Sequence, residues 1–380
     1  MLQCKITAGR ALLRFLGPWA LLMFGVTLVL LPGNPSPAGA LHLALALGVL
    51  PLVLAAQCHF VPVLTRTRPA TTAAWALPLL GLTAGLAGGF GVAHAAGWLP
   101  VGLLLGVVTT VAMLGWIQAR AEQALGDPHP GLDWYRAALA CLFLGLLAML
   151  AALAWPQHWV ALKRLHLHLN LLGFVGLSAL GTLQVLLPTA AGYADPDTSR
   201  RLRRGWPWAL AGVLASAGAA AWWPPLAWLA VLAWGLVLGP FALAVLRAYR
   251  AWLAWHGSGV ALAAALGGFV VLLLVGLAHA RAGLAPRGAL LLLLPLFLLP
   301  LVSGALTHLL PLWRWPGAVP AQAAMRACLA RGAGLRVLAC VASAGLLAAE
   351  APGGELPAVL AAGQFLLQWL RGGAAGRRAV

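Results

Sequence analysis

Stretches of about twenty apolar residues, broken by short polar turns, recur from one end of the chain to the other. At about 1.5 Å of rise per residue, a helix of that length matches the hydrocarbon thickness of a bilayer, so the pattern predicts membrane-spanning helices. Twelve spans are expected, at residues 11–31, 40–64, 72–94, 99–120, 134–155, 165–188, 206–222, 225–248, 258–280, 289–312, 333–349 and 356–370. Pro and Gly clusters punctuate them, among them Pro32-Gly33-Asn34-Pro35 and Trp222-Trp223-Pro224-Pro225. Trp98, Trp155, Trp159, Trp206, Trp313 and Trp369 fall near expected span ends, where an interfacial aromatic belt sits. The predicted fold is all-α, with residues 1–380 as one integral domain in the lipid bilayer. The apolar run 11–31 follows Lys5 and Arg10 and precedes Ala38-Gly39-Ala40, which imitates a signal peptide. It is longer than a signal core and is read as the first span.

Composition agrees with the pattern: 62% of residues are hydrophobic and 8% charged, against about a quarter charged in soluble domains. The net charge of +17 raises nucleic acid as a partner. The arginines occupy short loops instead of forming one face, so no nucleic-acid partner is expected. With both termini on one side, that side collects all of the 24 Lys and Arg residues except Lys163, Arg164, Arg281 and Arg287. The bias predicts cytoplasmic termini in a bacterial inner membrane. Five cysteines without C-x-x-C spacing suggest neither a disulfide frame nor a zinc site.

A threefold repeat is expected within this frame. The second, sixth and tenth spans end HFVPVL, VLLPTA and HLLPLW, with Pro62, Pro188 and Pro311 in register, four helices apart each time. The pseudo-repeats run over about 1–125, 126–250 and 251–380. Such a plan differs from the common transporter arrangement of two six-helix halves. Twenty positions before Pro62 and Pro188 stand His42 and His168; three before Pro62 and Pro311 stand His59 and His308.

The histidines carry the candidate chemistry. Residues 165–189 read LHLHLNLLGFVGLSALGTLQVLLPT, a greasy span that opens on His166, His168 and Asn170. Side chains two apart on an α-helix diverge by about 200°, so His166 and His168 predict two sites on opposite flanks. Asn170, one turn beyond His166, could orient it, as ligating imidazoles usually require. Leu172, Val175, Gly176 and Ala179 are mostly slim, leaving room for a flat macrocycle past His168. His42, at the repeat-equivalent depth, could share one haem with His168. His94 and His279 close the third and ninth spans on the same side and are candidates for a second metal, with imidazole suiting iron and copper alike. His59 stands roughly 25 Å further along its helix than His42, so with His308 it would form a separate inner site. Each has a bland alternative: His158, His129 and His256 sit at span ends and meet water or headgroups, as His94 and His279 could also do, while His59 and His308 could bond neighbouring helices. Intramembrane ionisable residues otherwise point to function. The run Leu86-Ala87-Gly88-Gly89-Phe90-Gly91 lies inside a span and reads as close helix packing instead of a phosphate cradle.

His42, His166-x-His168, Asn170, Leu172-Gly173-Phe174-Val175-Gly176 and Leu187-Pro188 together resemble the catalytic subunit of haem–copper oxidases and nitric oxide reductases. The chain is still more similar to the smaller NnrS-type haem- and copper-containing membrane proteins, and the H-x-H with its Gly-Phe step and span-ending Leu-x-Pro resembles the cbb-type oxidases. The resemblance implies twelve spans in three four-helix arcs, haem ligated by His42 and His168, and a second cofactor on His166. The H-x-H lies on the sixth span instead of the tenth. Neither an adjacent His-His pair nor a His-Pro-Glu element is present, and no acid lies mid-span. An oxygen-reducing proton pump is therefore not expected.

The expected function is a haem protein, with copper as a further cofactor, acting in electron transfer, diatomic-gas response or metal homeostasis, with an electron-transfer or oxidase partner. Two other classes stay open: a cofactor-free transporter whose histidines line a path, and an accessory or assembly protein for a respiratory oxidase.

Overall fold

The computed structural model describes residues 2–31, 37–192, 195–249, 257–280 and 286–379. The expected turn at Pro32–Pro35 and His256 lie outside them. Among the described residues every regular element is helical. In chain order the α-helices are α1 (Leu2–Leu30), α2 (Pro37–His42), α3 (Leu50–Thr65), α4 (Thr72–Ala93), α5 (Trp98–Glu122), α6 (Gly131–Ala154), α7 (Trp159–His168) and α8 (Ser178–Ala190). They continue as α9 (Thr198–Ala221), α10 (Leu226–Ala244), α11 (Ser258–Ala280), α12 (Pro286–Leu293), α13 (Leu299–Arg314), α14 (Val319–Ala330), α15 (Ala333–Ala348) and α16 (Leu356–Arg378). Four π-helical segments, Leu43–Val49, Leu169–Leu177, Val245–Tyr249 and Leu294–Leu298, adjoin them.

Ten of the described helices are long and apolar enough to cross a membrane, which makes this a multi-pass membrane protein. Two expected spans fall short of that standard although both are helical. The seventh lies within α9, whose first turns carry Arg200, Arg201, Arg203 and Arg204, and the twelfth lies within α16, which ends on Arg377 and Arg378. Helix α14 occupies residues expected to form a loop; it joins α15 through Gly332, whose positive φ of 75° suits glycine. Leu79, Leu86, Val108, Leu232 and Leu274 are exposed. So many bare aliphatic side chains suit contact with acyl chains and would be a liability in water.

The chain divides into two compact units. Unit 1 comprises Met1–Gly9, Leu45–Gln184 and Asp195–Phe241. Its core holds Trp134 and Trp234, both essentially inaccessible. The Trp134 indole N–H donates to the Leu202 carbonyl at 3.0 Å, linking α6 to α9, while the Tyr135 hydroxyl bonds that of Thr182 at 2.8 Å, linking α6 to α8. These bonds matter in an apolar solvent, where an unpaired indole or phenol costs several kcal/mol, on the order of 2–7. The glycine run in α4 packs closely in part: a methyl on Gly91 would stand 2.7 Å from the Leu99 nitrogen of α5 and one on Gly102 of α5 would strike the Gly88 nitrogen, whereas one on Gly88 or Gly89 would meet nothing within 4 Å. Just before the run, one on Gly85 would strike the Ala46 carbonyl of the first π segment.

Unit 2 comprises Arg10–Ala44, Val185–Ala194 and Ala242–Val380. Phe269 and Phe297 pair with ring centroids 5.1 Å apart. At Gly268, α11 approaches the Leu296 carbonyl of the fourth π segment so closely that no side chain fits between. Buried Arg336 has no acid beside it. Its guanidinium donates to the Leu329 carbonyl at 2.8 Å, the Arg331 carbonyl at 2.9 Å and Gln364 Oε1 at 2.7 Å, closing off the end of α14.

Candidate functional site: the histidine turn of unit 1

Helix α7 ends on His168, and the backbone then widens into the nine-residue π segment Leu169–Leu177. Such widenings are rare and concentrate at functional positions. His166 and His168 stand in the last turn of α7 and diverge as their spacing predicts. The Nδ1 of His166 bonds the Gly145 carbonyl of α6 at 2.8 Å, whereas the Nδ1 of His168 bonds the Arg164 carbonyl, one turn back on its own helix, at 2.9 Å. A carbonyl only accepts, so both imidazoles carry their proton on Nδ1 and present the lone pair on Nε2.

Asn170 lies beside His166, with its amide nitrogen 3.2 Å from the ring Nδ1. Both of those nitrogens are donors once Nδ1 serves Gly145, so the amide's bond is the other one it makes: it donates to the His166 carbonyl at 2.7 Å. Asn170 thus steadies His166 through its main chain at the point where the helical ladder loosens. The ring is oriented by Gly145, a residue that sequence reasoning missed. Nothing in Leu144-Gly145-Leu146 distinguishes it from an ordinary packing glycine. Its role rests on α6 passing close enough that a methyl there would meet Asn170 Nδ2 at 2.7 Å.

His42 belongs to unit 2 and repeats the His168 arrangement. It is the last residue of α2, its Nδ1 bonds the carbonyl four residues back, Ala38, at 2.7 Å, and a π segment begins at the next residue. Thr27 of α1 fixes the same short helix by donating to the Ala40 carbonyl at 3.0 Å.

Among the described residues, the other histidines stand in different settings. His94 is exposed at the end of α4 with its ring 5.3 Å from that of Phe90, the surface placement open to it from sequence. His279 is half-buried in the last turn of α11. His59 packs edge-on to its neighbour Phe60 at 5.1 Å. His308 is half-buried in α13 within reach of the charge of Arg326, a cation that opposes a metal ion there. His129 accepts the Gly131 N–H on Nδ1 at 3.1 Å in the loop before α6. Among the described residues, no three His, Cys, Asp or Glu side chains gather around one point.

Of the slim positions past His168, Leu172 is half-buried and Val175, Gly176 and Ala179 are buried. Open space lies on another face of the same turn. A cavity of about 410 Å³ in unit 1 is lined by Leu144, Ala148, Leu165, Leu169, Ala217 and Trp222 among others, all apolar. Leu165 and Leu169 bracket the two histidines in sequence, and the space opens at the surface, with Leu144 and Trp222 exposed on its walls.

A scan against protein-family models finds no match to this sequence, and neither does a search of curated proteins.

Proposed function

We propose that this is a haem-binding membrane protein with twelve spans in three four-helix units, in which His42 and His168 are the haem ligands and His166 faces a second cofactor. The observation that carries this reading is the shared arrangement of His42 and His168. Each ends an α-helix, each bonds a carbonyl four residues back through Nδ1, and each directly precedes a π segment. Nδ1-to-carbonyl bonding is the usual way an imidazole is held for iron or copper, because it fixes the ring and makes Nε2 the donor. An imidazole that merely met headgroups would have no need of that restraint.

The repeat is supported by the same elements. π segments begin at Leu43, Leu169 and Leu294, each less than twenty residues before Pro62, Pro188 and Pro311. The third unit carries Leu291 where the others have histidine, so by this reading two of the three units supply a ligand. Loop arginines favour cytoplasmic termini and a bacterial inner membrane. A haem bound here would supply a one-electron centre, suited to electron transfer, to response to a diatomic gas such as nitric oxide, or to metal homeostasis. The chain's own part is to hold Nε2 lone pairs in place and exclude water with the apolar walls around them. His166, held from α6, would serve copper or a second haem in the same way.

The test is a visible spectrum of protein purified in mild detergent from haem-replete cells, oxidised and reduced, with iron and copper assays. The expected result is a haem spectrum whose reduced α-band is lost or shifted in both His42→Ala and His168→Ala. A colourless, metal-free preparation, or an unchanged spectrum in both variants, would overturn the assignment.

A further inference from the structure

Unit 2 contains two acidic residues, Glu350 and Glu355, and both flank the turn before α16. At the other end of α16, about 30 Å away at helical rise, arginines gather without any acid. Arg314 closes the apolar span Leu290–Arg314, and the charges of Arg14 and Arg377 bear on it. Its guanidinium lies over the Trp315 ring at 5.7 Å, against a bare stretch of α16: a methyl on Gly373 would stand 3.3 Å from its Nη2.

Like charges acting on a partly buried guanidinium are costly unless something neutralises them. Arg336 shows how this chain satisfies an arginine internally, with three acceptors on one side chain. Arg314 is not treated that way: its Nε is buried and bonds nothing, and the same holds for Nε of Arg326 and the indole N–H of Trp315. Among the described residues, no acceptor reaches these three buried donors.

We propose that Arg14, Arg314 and Arg377 form a binding site for a phosphate group, best suited to the headgroup of an anionic phospholipid. Guanidinium forks match phosphate oxygens in pairs, which a point charge does not. Position selects the source: Arg314 ends a membrane span, so its charge stands at headgroup depth. This site is independent of the haem reading, which involves other residues.

The experiment uses the full chain in mild detergent, titrated with phosphatidylglycerol or phosphatidylcholine and read by native mass spectrometry. Phosphatidylglycerol should bind preferentially. Arg314→Gln and Arg377→Gln should each weaken it about fivefold, the factor for one cation at a lipid surface. Arg203→Gln, an exposed cation of unit 1, should not. Arg377 is exposed, so its variant reports even where Arg314→Gln fails to fold. Competition by inorganic phosphate would show that the phosphate group alone is recognised; its failure to compete would show that the acyl chains are needed too. No preference between the lipids, or an equal loss in Arg203→Gln, would overturn the proposal.

Discussion

Substituting Gly145 tests whether the histidine turn depends on the closeness of α6. In Gly145→Ala the new methyl would stand 2.7 Å from Asn170 Nδ2 and 3.4 Å from the Cβ of Leu169. Only the first is too close, and it falls on an amide already committed to the His166 carbonyl at 2.7 Å. Alanine favours the helix by about 1 kcal/mol over glycine. Against that, relieving the overlap costs about 1–3 kcal/mol. Turning the amide away forfeits its bond, which in a membrane bundle averages about 0.6 kcal/mol. The balance is a net destabilisation of about 1–2 kcal/mol. Reversible unfolding in mixed micelles would measure it, and a double-mutant cycle with Asn170→Ala would assign it. With the amide gone, Gly145→Ala should become neutral or stabilising, leaving a coupling of about 1 kcal/mol or more. An equal cost in both backgrounds would mean that the methyl meets something other than Asn170, and the account of the turn would fail.

Two other consequences are as direct. Gly268→Ala should destabilise strongly, at the upper end of the overpacking range of about 1–3 kcal/mol or beyond, because the Leu296 main chain cannot swing away as a side chain can; Gly267→Ala, with nothing within 4 Å, should be nearly neutral or stabilising. Thermal unfolding of the pair would decide, and similar melting temperatures would refute the packing argument. In the loop before α6, burial and then the charge of Arg66 hold the His129 pKa below its ordinary 6.5. Protonation would also break the bond its Nδ1 accepts from Gly131 and place a cation at a helix N-terminus. The folded state therefore takes up this proton less readily than the unfolded one. The contribution is fully present above pH 6.5 and is lost as the pH falls from there toward the folded pKa. His129→Gln should flatten stability over that window, and Arg66→Gln should raise the imidazole pKa in an NMR titration; an unmoved titration would rule out the Arg66 effect.

What the sequence disclosed and what it concealed divide along physical lines. Lipid demands long apolar stretches with internally paired backbones, so most spans were legible to within a few residues, the ninth to the residue at Ser258–Ala280. The seventh and twelfth expected spans are helical, but the arginine-rich turns of α9 and α16 leave both short of the hydropathy of the other ten, and α14 was taken for a loop because a short, moderately apolar helix leaves little trace in composition. The π segments were invisible. Widening a helix by one residue per turn requires no particular side chain, only neighbours that tolerate the bulge, and those neighbours are glycines elsewhere in the chain, Gly85 against Ala46 and Gly268 against Leu296. The same limit governed the candidate site. His166, His168 and Asn170 were conspicuous because polar side chains are costly in a span, and the divergence of the two histidines followed from helix geometry alone. The partner of His166 was not conspicuous, since the group that holds its ring is a main-chain carbonyl 21 residues away on another helix, and every residue has one of those. For His42 and His168 the partner is local, a carbonyl four residues back, so the register that made them equivalent in sequence carries over to the way each ring is held. Equivalence of that kind argues for a shared task more strongly than either histidine does alone, because one restrained imidazole before a π segment is a local accident of packing, while two held the same way, each directly before a π segment, call for a common cause.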